Sequence, residues 1–462
     1  MRGEPGPVWS FPMLLCLVVG LLGTLPLVIL TPPFQVPDEA QHFDRAYQIS
    51  EGGLRAEIRD GKAGGSLPTS LPALARRFLG TDAILAVRRV TATPLTGTLR
   101  LRAIPLDPGG RVFVDFTGAA AYPPLAYLPQ AAGIGIGRAF GAGPLMLLYL
   151  ARIANALTAI AVLSVAIGLM PVGQGPALLG GLLPMALYEY ASASPDALVI
   201  GGSFLLTALG LRALQRGAWL RPEVLGAALA GLVVCATKPV YAPLLLIAAP
   251  ALLISGRHGH HLCALAVILG VALGGTALWF AWDSGRVIPF EPGVDLHAQL
   301  GFMRAHPAGL IAVIRRSLAI DGRFYLISMI GLLGWLTVLL PRFAYLLPGI
   351  GLLPACLARD RAHPRLSVPM VFWCALLCAG AAALTMIAMY LACTPVGAPI
   401  VLGVQGRYFL PLLALVAAMA GSLPALRIGS RASVMLLAAV AGIVVLDAAV
   451  AAAAIGSVFA VL

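Results

Sequence analysis

Residues 11–45 read FPMLLCLVVGLLGTLPLVILTPPFQVPDEAQHFDR. The first 20 carry no charge. A helix of that length rises about 30 Å, the thickness of a bilayer's hydrocarbon core. The chain then leaves the apolar run and places Asp38, Glu39, His42, Asp44 and Arg45 in quick succession. The rest of the chain fits the same reading. Of 462 residues, 60% are hydrophobic and only 11% are charged, where a soluble domain carries about 25% charged residues. No water-soluble core hides that much apolar surface, and the runs are continuous rather than alternating, which excludes a β-barrel. The expected fold class is an all-α polytopic membrane protein, one integral-membrane domain over 1–462.

The first span is placed at 9–30, uncleaved because no small-residue cleavage site follows it. Residues 31–143 are polar and mixed in charge, with a Gly-rich link, GKAGGS, at 61–66. They are expected to form a long first extracytoplasmic loop carrying interfacial helices. Ten further apolar runs lie at 144–169, 175–192, 197–214, 224–237, 239–255, 262–282, 342–358, 369–391, 409–425 and 433–456. Two weaker pieces, 123–139 and 324–340, are interrupted by Pro or Gly. They read as spans, re-entrant segments or interfacial helices, so about 11–13 transmembrane helices are expected.

Basic links hold Arg212, Arg216, Arg221, Arg257, Arg359, Arg361, Arg365, Arg427 and Arg431. If they are cytoplasmic, as positive charge between spans favours, eleven spans fit. Arg2 and the N-terminus then lie inside and the C-terminus outside. The net charge of +12 thus serves topology first, and nucleic acid is not an expected partner. The layout puts 31–143, 190–197, Lys238, the loop 283–341 and 395–411 on one extracytoplasmic face. The seven cysteines lie mostly in apolar runs without metal or disulfide spacing.

Four motifs on that face carry chemistry, each with a plainer alternative. In VPDEAQHFDR, Asp38 caps a helix beginning at Glu39, with Gln41 completing a capping box. In the functional reading, Asp38, His42 and Arg45 share one helical face, where they bind a polar reactant and move a proton. A carboxylate pair there also suits a divalent cation beside phosphate oxygens. In YEYASASPDALVIGG, with Glu189 and Asp196, Asp196 is either a cap or an acid that orients sugar hydroxyls. Lys238 sits in the middle of the apolar stretch 224–255. The chain is expected to turn at TKP, and the lysine either snorkels or meets an anionic head group. In VQGRYFLP, Arg407, flanked by Gln405, Gly406 and Tyr408, offers a planar fork for phosphate, or else pairs with Asp38 or Asp196. AAYPPLAYLPQ, with Tyr122 and Tyr127, reads as an interfacial aromatic anchor and no more. His297 and His306 read as surface residues. No nucleotide fingerprint, Ser-His-Asp order or zinc pattern is present.

Taken in order, PPFQVPDEAQHFDRAYQIS, SASPDA, TKPVYAP and VQGRYFLP resemble the bacterial membrane family DUF2142 over nearly the whole chain. That family in turn resembles the GT-C superfamily of integral-membrane glycosyltransferases. The resemblance implies a donor lipid, a polyprenyl-phosphate sugar, and an extracytoplasmic glycan, lipid or protein acceptor, at the bacterial plasma membrane. It implies Asp38 or Glu39 as general base or metal ligand, the metal being magnesium or manganese where one is used. It further implies substrate binding by Asp196, Lys238 and Arg407; His42 and Arg45, from their helical face, and Gln405 and Tyr408, beside Arg407, are expected to join them. The chain lacks the large soluble C-terminal domain and the WWD-type motif of better-known members, which argues against transfer of a whole glycan to asparagine. A transporter or flippase of a lipid-linked or anionic substrate, or a non-catalytic partner in envelope glycan assembly, are the alternatives.

Overall fold

The computed structural model describes residues 10–79, 95–254, 256–283, 294–358, 365–423 and 429–459. Arg2, Arg359, Arg361 and Arg427, used above for topology, lie outside them, as do 80–94 of the first loop and 284–293 of the later one. Six described helices are long and apolar enough to cross a membrane: Phe11–Leu30, Pro144–Leu169, Asp196–Arg216, His258–Trp282, Val368–Ala392 and Arg431–Val458. The chain is a multi-pass membrane protein. The other five apolar runs are short or broken helices. Run 175–192 divides into Gln174–Gly181 and Pro184–Tyr190, because Pro184 has no N–H to continue the ladder. Arg221–Thr237 stops one residue before Lys238, and Pro239–Leu246 continues as a tighter 3-10 turn. Gly406–Leu412 is likewise 3-10 before Leu413–Ala420.

Neither weak piece is a full-length apolar helix. Leu128–Ala139 has 12 residues, about 18 Å of helix. It packs along the next helix, where a Cβ on Gly137 would lie 2.6 Å from Leu147 and Leu150. Residues 324–340 are the last turns of Pro307–Gly331 followed by a hairpin, Leu332–Leu333 paired with Val338–Leu339.

Helix Phe11–Leu30 is packed by its small residues. A Cβ at Gly20 would lie 2.9 Å from Ile160, and one at Gly23 would lie 2.9 Å from Leu187 and 3.2 Å from Ala448. Such close approach is how helices associate where no hydrophobic force separates them from lipid.

The first loop holds more than interfacial helices. Strands β1 (Glu57–Arg59), β2 (Lys62–Pro68) and β3 (Arg111–Asp115) form an antiparallel sheet in the order β1-β2-β3. The Gly-rich link is its central strand. Gly64 pairs with Glu57 on one side and Asp115 on the other, and a Cβ there would lie 2.1 Å from the Val114 carbonyl oxygen. Helix Glu39–Ser50 is tied to this sheet and to Leu128–Ala139 through Glu51, which accepts from Arg111 at 2.6 Å and Arg138 at 3.3 Å.

Candidate functional site

The site gathers where several helices end together. Helix Phe11–Leu30 finishes beside residues 31–38, whose backbone is held in an uncommon shape: Phe34 has φ 64° and Asp38 φ 65°. The left-handed region is costly for residues with a Cβ and persists where surroundings enforce it. Those surroundings centre on Arg152, an arginine inside the Pro144–Leu169 helix with no solvent exposure. Its Nη1 donates to the carbonyls of Val28 (3.2 Å) and Thr31 (2.7 Å), its Nη2 to Pro32 (3.1 Å), and its Nε to Glu39 Oε1 (2.7 Å). A cation thus closes the carbonyl end of the first helix, where the helix dipole is negative. Glu39 also accepts from the amides of Phe34 (3.0 Å) and Ala193 (3.1 Å). Gln130 and Asn155 fix the neighbouring turn by donating to Ser194 O at 3.2 and 2.9 Å.

This keystone presents Asp38. Its side chain is 46% exposed, and its Oδ2 accepts from Arg407 Nη2 at 3.1 Å across the length of the chain. Arg407 is 6% exposed and donates its Nη1 to Glu189 Oε1 at 3.1 Å. Beside them Lys238 pairs with Asp196 at 2.7 Å. The Tyr408 ring neighbours both cations, its centroid 4.9 Å from Lys238 Nζ and 5.5 Å from the Arg407 guanidinium. His42 closes the cluster. Its Nδ1 is 2.8 Å from the Tyr127 hydroxyl, and its ring stacks on Tyr122 at 5.7 Å. Burial pulls the His42 imidazole down to about 4, with Asp38 and Asp196 opposing the drop. It is neutral at physiological pH. Burial also pushes the Tyr122 phenol up to about 12, against the pull of Lys238.

Six of the residues singled out from sequence therefore converge: Asp38, His42, Asp196, Lys238, Arg407 and Tyr408. Two others, Glu39 and Arg45, are engaged elsewhere. Glu39 is fully enclosed in bonds to Arg152 and two amides, so it supports the loop and is not free to act as a base. Arg45 turns away from the Asp38–His42 face, because the helix it sits on ends nearby and its guanidinium closes the turn, donating to Gly53 O (3.3 Å) and Leu54 O (2.7 Å). Gln405 precedes the arginine, with its Oε1 buried and without a partner. Asp38 also makes no capping bond. Gln41 instead accepts from the Gly118 amide at 2.7 Å. The tyrosines assigned only to anchoring are part of the site: Tyr127 is fully buried against His42.

One residue was missed and another was named without a role. Arg152 had a signal, since an arginine inside an apolar span is costly without a partner. Glu189, noted beside Asp196, had the same signal three residues from the end of its run. Three carboxylates now face two cations. Each is engaged by Arg407 or Lys238, and among the described residues no three metal-ligating side chains converge. The donor set does not fit a divalent cation as it stands. Glu189 Oε2, Arg407 Nε and Gln405 Oε1 are buried without hydrogen-bond partners, polar capacity that a bound ligand or water can use.

Comparison with curated proteins and with solved structures finds no match at either level. The family described as predicted membrane protein DUF2142 matches residues 21–416, which takes in every residue of the cluster. The chain belongs to the DUF2142 family of predicted membrane proteins.

Proposed function

We propose that the cluster is the active site of a membrane glycosyltransferase that moves a sugar from a polyprenyl-phosphate donor to an extracytoplasmic acceptor. The observation that carries this reading is the pairing of a half-exposed carboxylate, Asp38, with a buried guanidinium, Arg407, 3.1 Å away. Lys238 and Arg407 both lie close to the Tyr408 ring, 4.9 and 5.5 Å from its centroid. A phosphate entering between Arg407 and Lys238 finds two fixed cations with little water, where charge stabilisation is strongest. Its arrival displaces Asp38 from Arg407. The freed carboxylate then accepts a proton from the acceptor hydroxyl as that oxygen attacks the anomeric carbon. The bond from that carbon to phosphate breaks, and Arg407 and Lys238 take up the charge on the leaving group. Neutral His42 and Tyr122 supply a flat polar wall for a sugar ring.

In purified protein supplied with polyprenyl-phosphate sugars, release of polyprenyl phosphate is the expected activity. Asp38→Asn should reduce it by at least about 100-fold, in line with loss of a general base, while leaving the melting temperature within a few degrees. Full activity in that variant removes Asp38 from the chemistry. One feature favours a second reading, a transporter of the same lipid. Transport sites are built on discontinuous helices, and Pro184–Tyr190, Pro239–Leu246 and Gly406–Leu412 all border the cluster. Movement of intact donor without bond cleavage would select it.

A further inference from the structure

Asp38 and Arg407 lie 369 residues apart in sequence, yet one element touches the backbone that carries each. The Pro307–Gly331 helix meets the Arg407 segment through Gly406. The Gly406 amide donates to Ser328 Oγ at 2.9 Å. A Cβ on Gly406 would lie 2.1 Å from Tyr325 O and 2.2 Å from Met329 N, so backbone is seated on backbone. Ser328 is fully buried, and its hydroxyl is itself anchored to Phe324 O at 2.7 Å.

Seven residues further on, the hairpin that follows this helix meets the Asp38 segment. Trp335 Nε1 donates to Phe34 O at 3.0 Å. The Tyr188 hydroxyl bridges the same two segments, accepting from Gly334 N at 3.1 Å and donating to Gln35 O at 2.8 Å. The hairpin is closed at its base by Tyr345, whose hydroxyl donates to Gly331 O at 2.9 Å and accepts from Leu340 N at 3.1 Å. Its turn is strained too, with Leu336 at φ 60°. Both segments thus carry left-handed residues, Phe34 and Asp38 in one and Leu336 in the other, and these bonds join them where such backbone must be held by its surroundings.

We propose that Pro307–Gly331 and the hairpin 332–339 form one bracket that sets the position of Asp38 against Arg407, with Ser328 and Trp335 as its positioning residues. The catalytic consequence rests on the glycosyltransferase reading; the bracket itself does not. A carboxylate that must leave a guanidinium and then meet a hydroxyl needs a fixed starting point, and small displacements are expensive in rate.

The test uses hydrogen–deuterium exchange on the full-length protein in detergent. Trp335→Phe keeps a ring and removes the N–H. It should speed exchange of the amides in 34–39 about five- to tenfold, the effect of losing one buried hydrogen bond on local opening. The helix Pro144–Leu169 should exchange as in the parent. Ser328→Ala should do the same to 403–410. Leu339→Ala, an exposed hairpin residue, is the control and should leave both segments unchanged. Exchange in 34–39 within twofold of the parent in Trp335→Phe overturns the bracket. So does a rise common to all segments, which marks general loosening. If Trp335→Phe does not fold, Tyr188→Phe removes the second bridge and is read by the same criterion. In the transfer assay the positioning variants should lower kcat with the donor KM unchanged. Local exchange that rises in a protein with no transferase activity keeps the bracket and discards the reaction.

Discussion

Adjacent carboxylates divide the labour at residues 38 and 39. Glu39 holds the loop together from within, and Asp38 stays half-exposed beside Arg407. Breaking a buried ion pair by removing one partner costs about 3–5 kcal/mol, because the other charge is stranded. Arg152→Ala should therefore lower stability by about that much in a thermal melt, far more than Asp38→Asn. Two neighbours on the same helix make opposite demands on pH. His42 is buried neutral, with its folded value near 4. The unfolded chain takes up its proton first as pH falls, so stability is lost between about 6.5 and 4, and His42→Gln should flatten that acid limb. Asp44 is pushed by burial up to about 8. The folded protein keeps this proton where the unfolded chain has released it. Stability is then lost as pH rises from about 4 to about 8, on the order of a few kcal/mol. The gain in melting temperature from Asp44→Asn should grow across that window and level off above it.

Among the elements, those fixed by local pattern were readable and those fixed by distant contact were not. The turn at Lys238 and the helix beginning at Glu39 follow from proline placement and helical spacing, and both are present. Strand β2 was not legible, because GKAGGS lacks the branched and aromatic residues that mark strands. Its glycines answer to the crowding of Val114 O on Gly64, which no local rule reports. For the same reason Gly64→Val should disrupt the sheet. The left-handed backbone at Phe34 and Asp38 was hidden too, since Phe does not favour it, Asp visits it only at single positions, and the enforcing groups, Arg152, Tyr188 and Trp335, come from remote parts of the chain. Likewise Gly406→Ala would drive a methyl into backbone atoms of the Pro307–Gly331 helix. It should cost several kcal/mol, read as a lowered melting temperature.

At the scale of the whole molecule, apolar run length located the six long helices among the described residues, while five further runs are shorter or broken. Run length measures greasiness, and it does not register where a proline or a buried ion interrupts a helix. The convergence of separated motifs was legible only through the assumption that basic links share one side of the membrane. That assumption has a direct test. In a protein lacking its native cysteines, Lys62→Cys on the exposed β1–β2 hairpin should react with an impermeant maleimide added to intact cells. Arg221→Cys, at the far end of the Arg221–Thr237 helix from Lys238, should react only after permeabilisation. The resting contact between Asp38 and Arg407 has one more implication, for what happens after a reaction cycle. On the glycosyltransferase reading proposed above, a carboxylate tethered within reach of Arg407 would compete with the departing lipid phosphate for the same guanidinium and so hasten its release. Asp38→Asn should accordingly retain polyprenyl phosphate more tightly, by about tenfold for each 1.4 kcal/mol of lost competition.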